Sequence, residues 1–351
     1  MESGPHRREK LPATVGHAAI RAAADAEFDT VVFSGGESTT YLDDVLDMCR
    51  EARSRGLRTR LVSNGYWAQT PAAVAEMLER LHDGNVDELV ISFDEYHLPY
   101  ISLDRFDHLR SGTVLAARRP WIIYAAVIEP PGDDNEAASD SHAFPHALIS
   151  LLTLYGFDIK RCTAFAEVTE TLARLSPGAR DAYKQWLRDR IIVTWQPLVI
   201  GGRATRSLAN AVSALPLSAA GDRPCEAAGQ QITLPSNGHA YPCCSLWTNF
   251  GDHHFGVVGN EAQFADAYRR IRREPLVQLI HAAGPGTLIR WLKSRGVPLR
   301  DHYTDICNMC EELFTRCSPE RLWSEAALCA HSWLAGGPDD AAALSRTVPR
   351  S

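Results

Sequence analysis

Apolar positions over the first 130 or so residues follow two alternating rhythms. Thr30–Phe33, Arg58–Ser63 and Glu88–Phe93 are short runs rich in Val, Leu and Ile, the pattern of buried strands. After the first run, Leu42, Val45, Leu46 and Cys49 recur at i, i+3, i+4 and i+7, one face of a helix that Gly56 is placed to stop. After the second, Thr70 is placed to cap a helix and Pro71 to open its first turn. Val74, Met77, Leu78 and Leu81 line its buried side, and Gly84 ends it. Strands recurring roughly every 30 residues with helices between them predict βα units around a parallel sheet. Trp121–Val127 and Ile191–Trp195 continue the series, while Ile159–Phe165 fits either a strand or an insertion. Pro130–Ser141 is a polar loop. Periodicity does not distinguish an open sheet from one that curls into a barrel.

After about residue 205 the pattern changes. Asn210–Pro224 has the composition of a linker, and cysteines, glycines and aromatics then become dense; seven of the nine cysteines fall from Cys225 to Cys329. A domain boundary is expected near residue 215, with a second domain over 216–335 and a fraying Ala/Asp/Pro-rich tail over 336–351.

Composition narrows the function classes. The 351 residues are 45% hydrophobic, enough for a substantial core, and the formal charge of −7 gives no basic footprint for nucleic acid. The one basic cluster, Arg269-Arg270-Ile271-Arg272-Arg273, reads as the solvated face of a helix. No run of about 18 apolar residues predicts a membrane span, and MESGPHRREK lacks the apolar core of a signal peptide, so a cytoplasmic location is expected. Nine cysteines in a reducing compartment point to metal binding rather than disulfides.

The candidate chemistry begins at the strand ends. Gly35-Gly36-Glu37 follows the first strand, Ser63-Asn64-Gly65 closes the second and Ser92-Phe93-Asp94 closes the third. The carboxyl ends of parallel strands form the ligand face of such sheets. Glycines there let a ligand approach the main chain, whose carbonyls accept from an ammonium group, and Glu37 adds an anionic acceptor. A lone Gly-Gly is as readily a tight turn; three small or polar strand ends in phase favour one shared site. His97, just past the third strand, could face a substrate or serve only the local structure.

VVFSGGEST, RLVSNGYW and ELVISFDEYH, in that order, resemble the radical S-adenosyl-L-methionine (SAM) superfamily. The resemblance spans about residues 14–205 and implies a partial (β/α)6 TIM-like barrel over residues 1–215. It implies that Gly35, Gly36 and Glu37 hold the methionyl amino group of SAM, with Asn64 and Asp94 near the sulfonium and ribose. Gln196 and Val199-Ile200-Gly201-Gly202-Arg203-Ala204 resemble the late-barrel stretch that helps to enclose the adenine.

A second constellation lies downstream. Cys225 is followed by 12 residues, Gly238, four residues and Cys243, and later by Cys307-Asn308-Met309-Cys310. Two cysteine pairs, brought together by a hairpin and a C-x-x-C turn, offer four thiolates to one centre, and from the residues alone either an iron–sulfur cluster or structural zinc fits. ITLPSNGHAYPCCSL resembles the auxiliary-cluster domain of many radical SAM proteins, in its two-cluster (SPASM) and one-cluster (twitch) forms. The two-cluster form expects C-x2-C-x5-C-x3-C, whereas this chain has C-x2-C-x6-C and no cysteine three residues after Cys317. The resemblance therefore implies one 4Fe–4S cluster on Cys225, Cys243, Cys307 and Cys310, with Cys244 able to replace Cys243 and Cys317 in reserve. Cys49 reads as a core residue. Cys162 and Cys329 lack neighbours in sequence, and ligand roles for His253 and His254 are not supported.

The superfamily's C-x3-C-x2-C motif does not occur, since no cysteine precedes Cys49. The expectation is a start placed too late, with upstream sequence supplying a first strand and a second 4Fe–4S cluster. The resemblance then implies hydrogen-atom abstraction from a small-molecule or peptide substrate, with a reducing partner such as flavodoxin or ferredoxin. Two other readings stand beside it: a noncatalytic radical-SAM-like binding partner, and a zinc-stabilised α/β binding protein.

Overall fold

The computed structural model describes residues 9–94, 96–128, 144–197, 215–217, 223–243 and 246–335. The 130–141 loop, most of the 210–224 linker, the Val199–Ala204 stretch, Cys244 and the tail lie outside them. The chain divides into two compact units, Ala23–Leu198 and Met1–Ala22 with Val199–Ser351.

The first unit is an α/β fold on six parallel strands: β1 (Thr30–Phe33), β2 (Arg58–Ser63), β3 (Glu88–Ser92), β4 (Trp121–Ile128), β5 (Cys162–Ala164) and β6 (Ile191–Pro197). Their order in the sheet is β1-β2-β3-β4-β6-β5. Chain order holds from β1 to β4, and β6 then pairs with β4 while the three-residue β5 takes the outer place. The ambiguous Ile159–Phe165 segment resolves into a 3-10 turn, this short strand, and the start of a helix at Phe165.

The helices between strands form where the apolar spacing and caps place them. In α2 (Leu42–Ser54), Leu42, Val45, Leu46, Cys49 and Ala52 are buried. In α3 (Pro71–Asp83), Oγ1 of Thr70 accepts from the amide of Ala73, and Val74, Leu78 and Leu81 are buried. Next comes α4 (Asp104–Leu115), which packs on α3 through Gly112. A Cβ there would lie 2.4 Å from Cβ of Val74, so only glycine allows this approach. The unit continues with α5 (His146–Leu154), α6 (Phe165–Arg174) and α7 (Pro177–Leu187).

Alternation along the strands divides the core. Leu89, Ile91 and Phe93 join the large cluster with α2, α3, α4 and α5, while Val90, Ile123 and Ile192 meet Val168 and Leu187 of α6 and α7. β3 is therefore covered on both faces, as its unbroken apolar run requires. Phe93 sits edge-on to Tyr124, Tyr155 and Phe157 at 5.5–6.2 Å between centroids, which fixes the chain where it leaves β3.

The second unit contains α1 (Ala13–Asp25) in part, and a helical set: α8 (Glu261–Arg273), α9 (Pro275–Ala283), α10 (Pro285–Ser294), α11 (Ile306–Arg316) and α12 (Pro319–Leu334). The expected hairpin is present, with Thr233 and Tyr241 exchanging backbone hydrogen bonds across a turn closed by Gly238. The C-x-x-C segment is not a turn: it forms the first turn of α11. The basic cluster falls on the last turns of α8, where Ile271 is buried and the arginines face outward.

Candidate functional site

The carboxyl ends of β1, β2, β3 and β4 emerge on one edge of the sheet, because the parallel registers align Phe33 with Leu61, Ser63 with Ile91, and Ser92 with Ala125. Glu37 ties the first two ends together. Its Oε1 accepts from Oγ1 of Thr39 at 2.6 Å, the Thr39 amide at 3.2 Å and Oγ of Ser63 at 2.9 Å, and its Oε2 accepts from the Asn64 amide at 2.9 Å. A carboxylate oxygen has two lone pairs, so Oε1 is fully used and Oε2 keeps one acceptor direction. Ser63 is locked in turn, its Oγ accepting from the Gly65 amide and from Nε1 of Trp67.

The glycines differ in what they provide. Gly35 has φ of 133° and is exposed, and a Cβ built on it would meet nothing within 4 Å, so its backbone faces open space. Gly65, at φ of 74°, is buried and makes the turn that brings Trp67 under Ser63. Asn64 spends its Oδ1 on the amide of Tyr66, and Gln196 is exposed opposite Val127 on β6.

Asp94 is only 1% exposed. Its Oδ1 accepts from the amides of Tyr96 and His97 and stands 2.8 Å from Nδ1 of His97, and its Oδ2 lies 3.4 Å from the Val127 amide on β4. The Asp94 carbonyl accepts from the Tyr155 hydroxyl at 2.8 Å. The His97 side chain is 34% exposed.

In the second unit, three chain segments bring thiols together. The Cys225 amide donates to the carbonyl of Ile280, its own carbonyl lies 3.2 Å from Nδ1 of His281, and the Gly229 amide donates to Pro242, beside Cys243. Asp305 caps α11, with Oδ1 accepting from the amides of Cys307 at 2.7 Å and Asn308 at 2.9 Å. Burial raises the Cys310 thiol well above its ordinary value, and the charges of Cys307, Cys243, Cys225 and then Asp305 raise it further. A thiol in the first turn of a helix normally ionises more easily; here neighbouring sulfurs and burial override that. Such a set loses its mutual repulsion when a cation enters among the sulfurs, so its donor chemistry fits a thiolate-bound metal centre. Among the described residues no group of three or more His, Cys, Asp or Glu is drawn into metal-binding geometry, so the sulfurs form a neighbourhood rather than a closed cage.

The other cysteines stand apart. Cys317 is 4% exposed, its thiol is raised by burial, and it is not among the groups acting on Cys310. Cys49 is fully buried, with its thiol pushed up to about 12, chiefly by burial. The Cys162 thiol is raised to about 11 by burial and Asp158, and Cys329 belongs to the apolar core. His253 packs on Phe314, and His254 stacks on His239 at 4.1 Å; neither acts on Cys310.

Thr39, Trp67 and Asp305 were not singled out by the sequence, and Ser63 was read only as part of a small, polar strand end. The Ser63 link to Glu37 crosses the sheet ends and leaves no local signal, whereas Thr39 and Trp67 bond residues only two and four positions away. Asp305 does leave one, an N-cap residue ahead of Ile306, Met309 and Leu313 at helical spacing.

No protein-family model matches the chain. Part of it is similar to YydG of Bacillus subtilis (strain 168), a protein named for peptide biosynthesis, at 28% identity over 82 residues. That stretch is 22% of this chain and 25% of YydG, so the match spans a quarter of the relative's length. Among solved structures, one of a dihydrodipicolinate synthase family protein from Coccidioides immitis aligns over 91% of both chains at 11% identity. Its TM-score of 0.31 is too low to bear on this fold. No described helix is long and apolar enough to cross a membrane.

Proposed function

We propose that this chain is a radical SAM-type protein of peptide modification, carrying one auxiliary 4Fe–4S cluster on Cys225, Cys243, Cys307 and Cys310. The observation that carries the reading is the gathering of the Cys225, Cys243 and Cys307 thiols, from three chain segments, close enough to act on Cys310. Two further observations support it. The parallel strands β1 to β4 stand in chain order, as in a partial (β/α)6 barrel, while β6 rather than β5 pairs with β4. The similarity to YydG favours a peptide over a small-molecule substrate.

SAM, bound and reduced, would supply a 5′-deoxyadenosyl radical for hydrogen-atom abstraction. The exposed backbone at Gly35 and Gly36 and the remaining acceptor direction on Oε2 of Glu37 are suited to an ammonium group. The Glu37 links to Thr39, Ser63 and Asn64 keep that corner rigid before a ligand arrives. Radical formation also calls for a C-x3-C-x2-C segment, which residues 1–351 do not contain.

Anaerobic reconstitution with iron and sulfide tests the reading. The chain should take up about four iron atoms and turn brown, and a form joined to a C-x3-C-x2-C segment should hold about eight. Cys307→Ser and Cys310→Ser should lose the auxiliary iron. A colourless protein containing one zinc would replace this reading with a zinc-stabilised binding protein.

A further inference from the structure

The turn after β3 holds more hydrogen bonding than its backbone needs. The Tyr96 and His97 amides already close it on Oδ1 of Asp94, and the His97 carbonyl accepts from the amides of Tyr100 and Ile101. The His97 ring is not required for that closure. It is nevertheless held at 2.8 Å from a buried carboxylate that its own turn and the Val127 amide of β4 fix from two sides, while the Tyr155 hydroxyl holds the Asp94 backbone carbonyl.

A carboxylate only accepts, so the ring nitrogen facing Asp94 carries a proton, and in the neutral ring Nε2 then presents a lone pair. The ring is one-third exposed, at the carboxyl end of a parallel strand, where such sheets bind ligands. An imidazole with one nitrogen fixed on a carboxylate and the other exposed is the arrangement of a general base.

We propose that Asp94 and His97 form a proton-transfer site on the ligand face of the sheet. His97 Nε2 exchanges the proton, and Asp94 acts as its positioning residue rather than as a contact to ligand hydroxyls. The partner is a ligand bearing an ionisable N–H or O–H. In the forward step that bond breaks, its electrons stay on the ligand, and the proton goes to Nε2, leaving an imidazolium against the Asp94 carboxylate. Nothing in this step depends on the proposed cofactor.

The test uses the chain as it stands and diethyl pyrocarbonate, which acylates unprotonated imidazole nitrogen. His108 is an internal control, being partly buried with its Nδ1 on a neutral acceptor, the Ala68 carbonyl at 3.0 Å. Peptide mapping should show His97 acylated several-fold faster than His108. Asp94→Asn should slow His97 several-fold, because the ring loses the carboxylate that orients it, and leave His108 unchanged. Nitrogen-15 NMR of the wild-type histidines keeps the proposal falsifiable should Asp94→Asn not fold. His97 should be protonated at Nδ1 and bare at Nε2, and His97→Gln should melt within a few degrees of wild type. A proton on Nε2, acylation no faster than at His108, or collapse of folded His97→Gln would overturn the assignment. Adding SAM separates the two readings. Protection of His97 supports the proposed function, while absence of protection with the rate pattern intact counts against SAM binding and leaves the proton-transfer site standing.

Discussion

At the scale of single residues, the same side-chain type does different work according to burial. Glu37 was legible from sequence as an acceptor at a strand end, and it is one, but most of its capacity goes to Thr39, Ser63 and Asn64. The links to Ser63 and Asn64 leave no trace in the sequence, because those partners lie at the end of another strand. His253 shows burial of a different kind. It is 3% exposed, its Nδ1 has no hydrogen-bond partner among the described residues, and burial lowers its pKa below the ordinary value of 6.5 despite the opposing influence of Asp252, the Phe314 backbone and Glu320. The unfolded chain takes up a proton below pH 6.5 that the folded protein resists, so this contribution to stability is present above that pH and is lost as the pH falls. Wild type should therefore lose urea resistance between pH 7 and pH 5. His253→Phe, which can still pack on Phe314, should lose distinctly less, and parallel curves for the two proteins would refute this account.

At the scale of elements, legibility followed length and regularity. The runs that became β1, β2, β3 and β4, together with α2 and α3, were readable because apolar spacing, N-caps and stop glycines agreed. β5 was ambiguous because three residues carry no period, and its pairing with β6 is decided by the sheet. The C-terminal helices were obscured by dense cysteines and glycines. α11 is the instructive case, since a C-x-x-C spacing suggests a turn, whereas i and i+3 on a helix also bring two thiols to one face. Asp305 decides for the helix by accepting two amides that would otherwise be unpaired, one of them from Cys307. Asp305→Ala should cost about 1 kcal/mol of stability, the usual value of a lost cap. It should also loosen the Cys307 end of the thiol group, so that reconstituted protein loses iron faster to a chelator. Asp305→Asn keeps the cap and should restore both stability and iron retention; stability restored without iron retention would mean the charge, not the cap, matters.

At the scale of the whole molecule, the two units pose separate problems of closure. The second is organised around its helices and its thiol neighbourhood. Among the described residues, the first ends its sheet on β1, a strand of Thr, Val, Val and Phe whose Val32 is 50% exposed. Strand order was open at the sequence level because periodicity fixes which residues face a core but not where a sheet terminates. An end strand of β-branched residues carries backbone donors and acceptors directed outward, which makes it a template for pairing with another chain. The inner strand β3 is buried on both faces, and a half-exposed valine on the end strand contrasts with it. A charged side chain on such a strand opposes edge-to-edge association without touching the buried core. Val32→Lys should therefore reduce concentration-dependent association of the 351-residue chain in sedimentation velocity, while its melting temperature stays close to that of wild type. If association is unchanged, the edge is already shielded by other parts of the chain. If Val32→Lys unfolds the protein, Val32 faces a core, and β1 is held by packing rather than left as an edge.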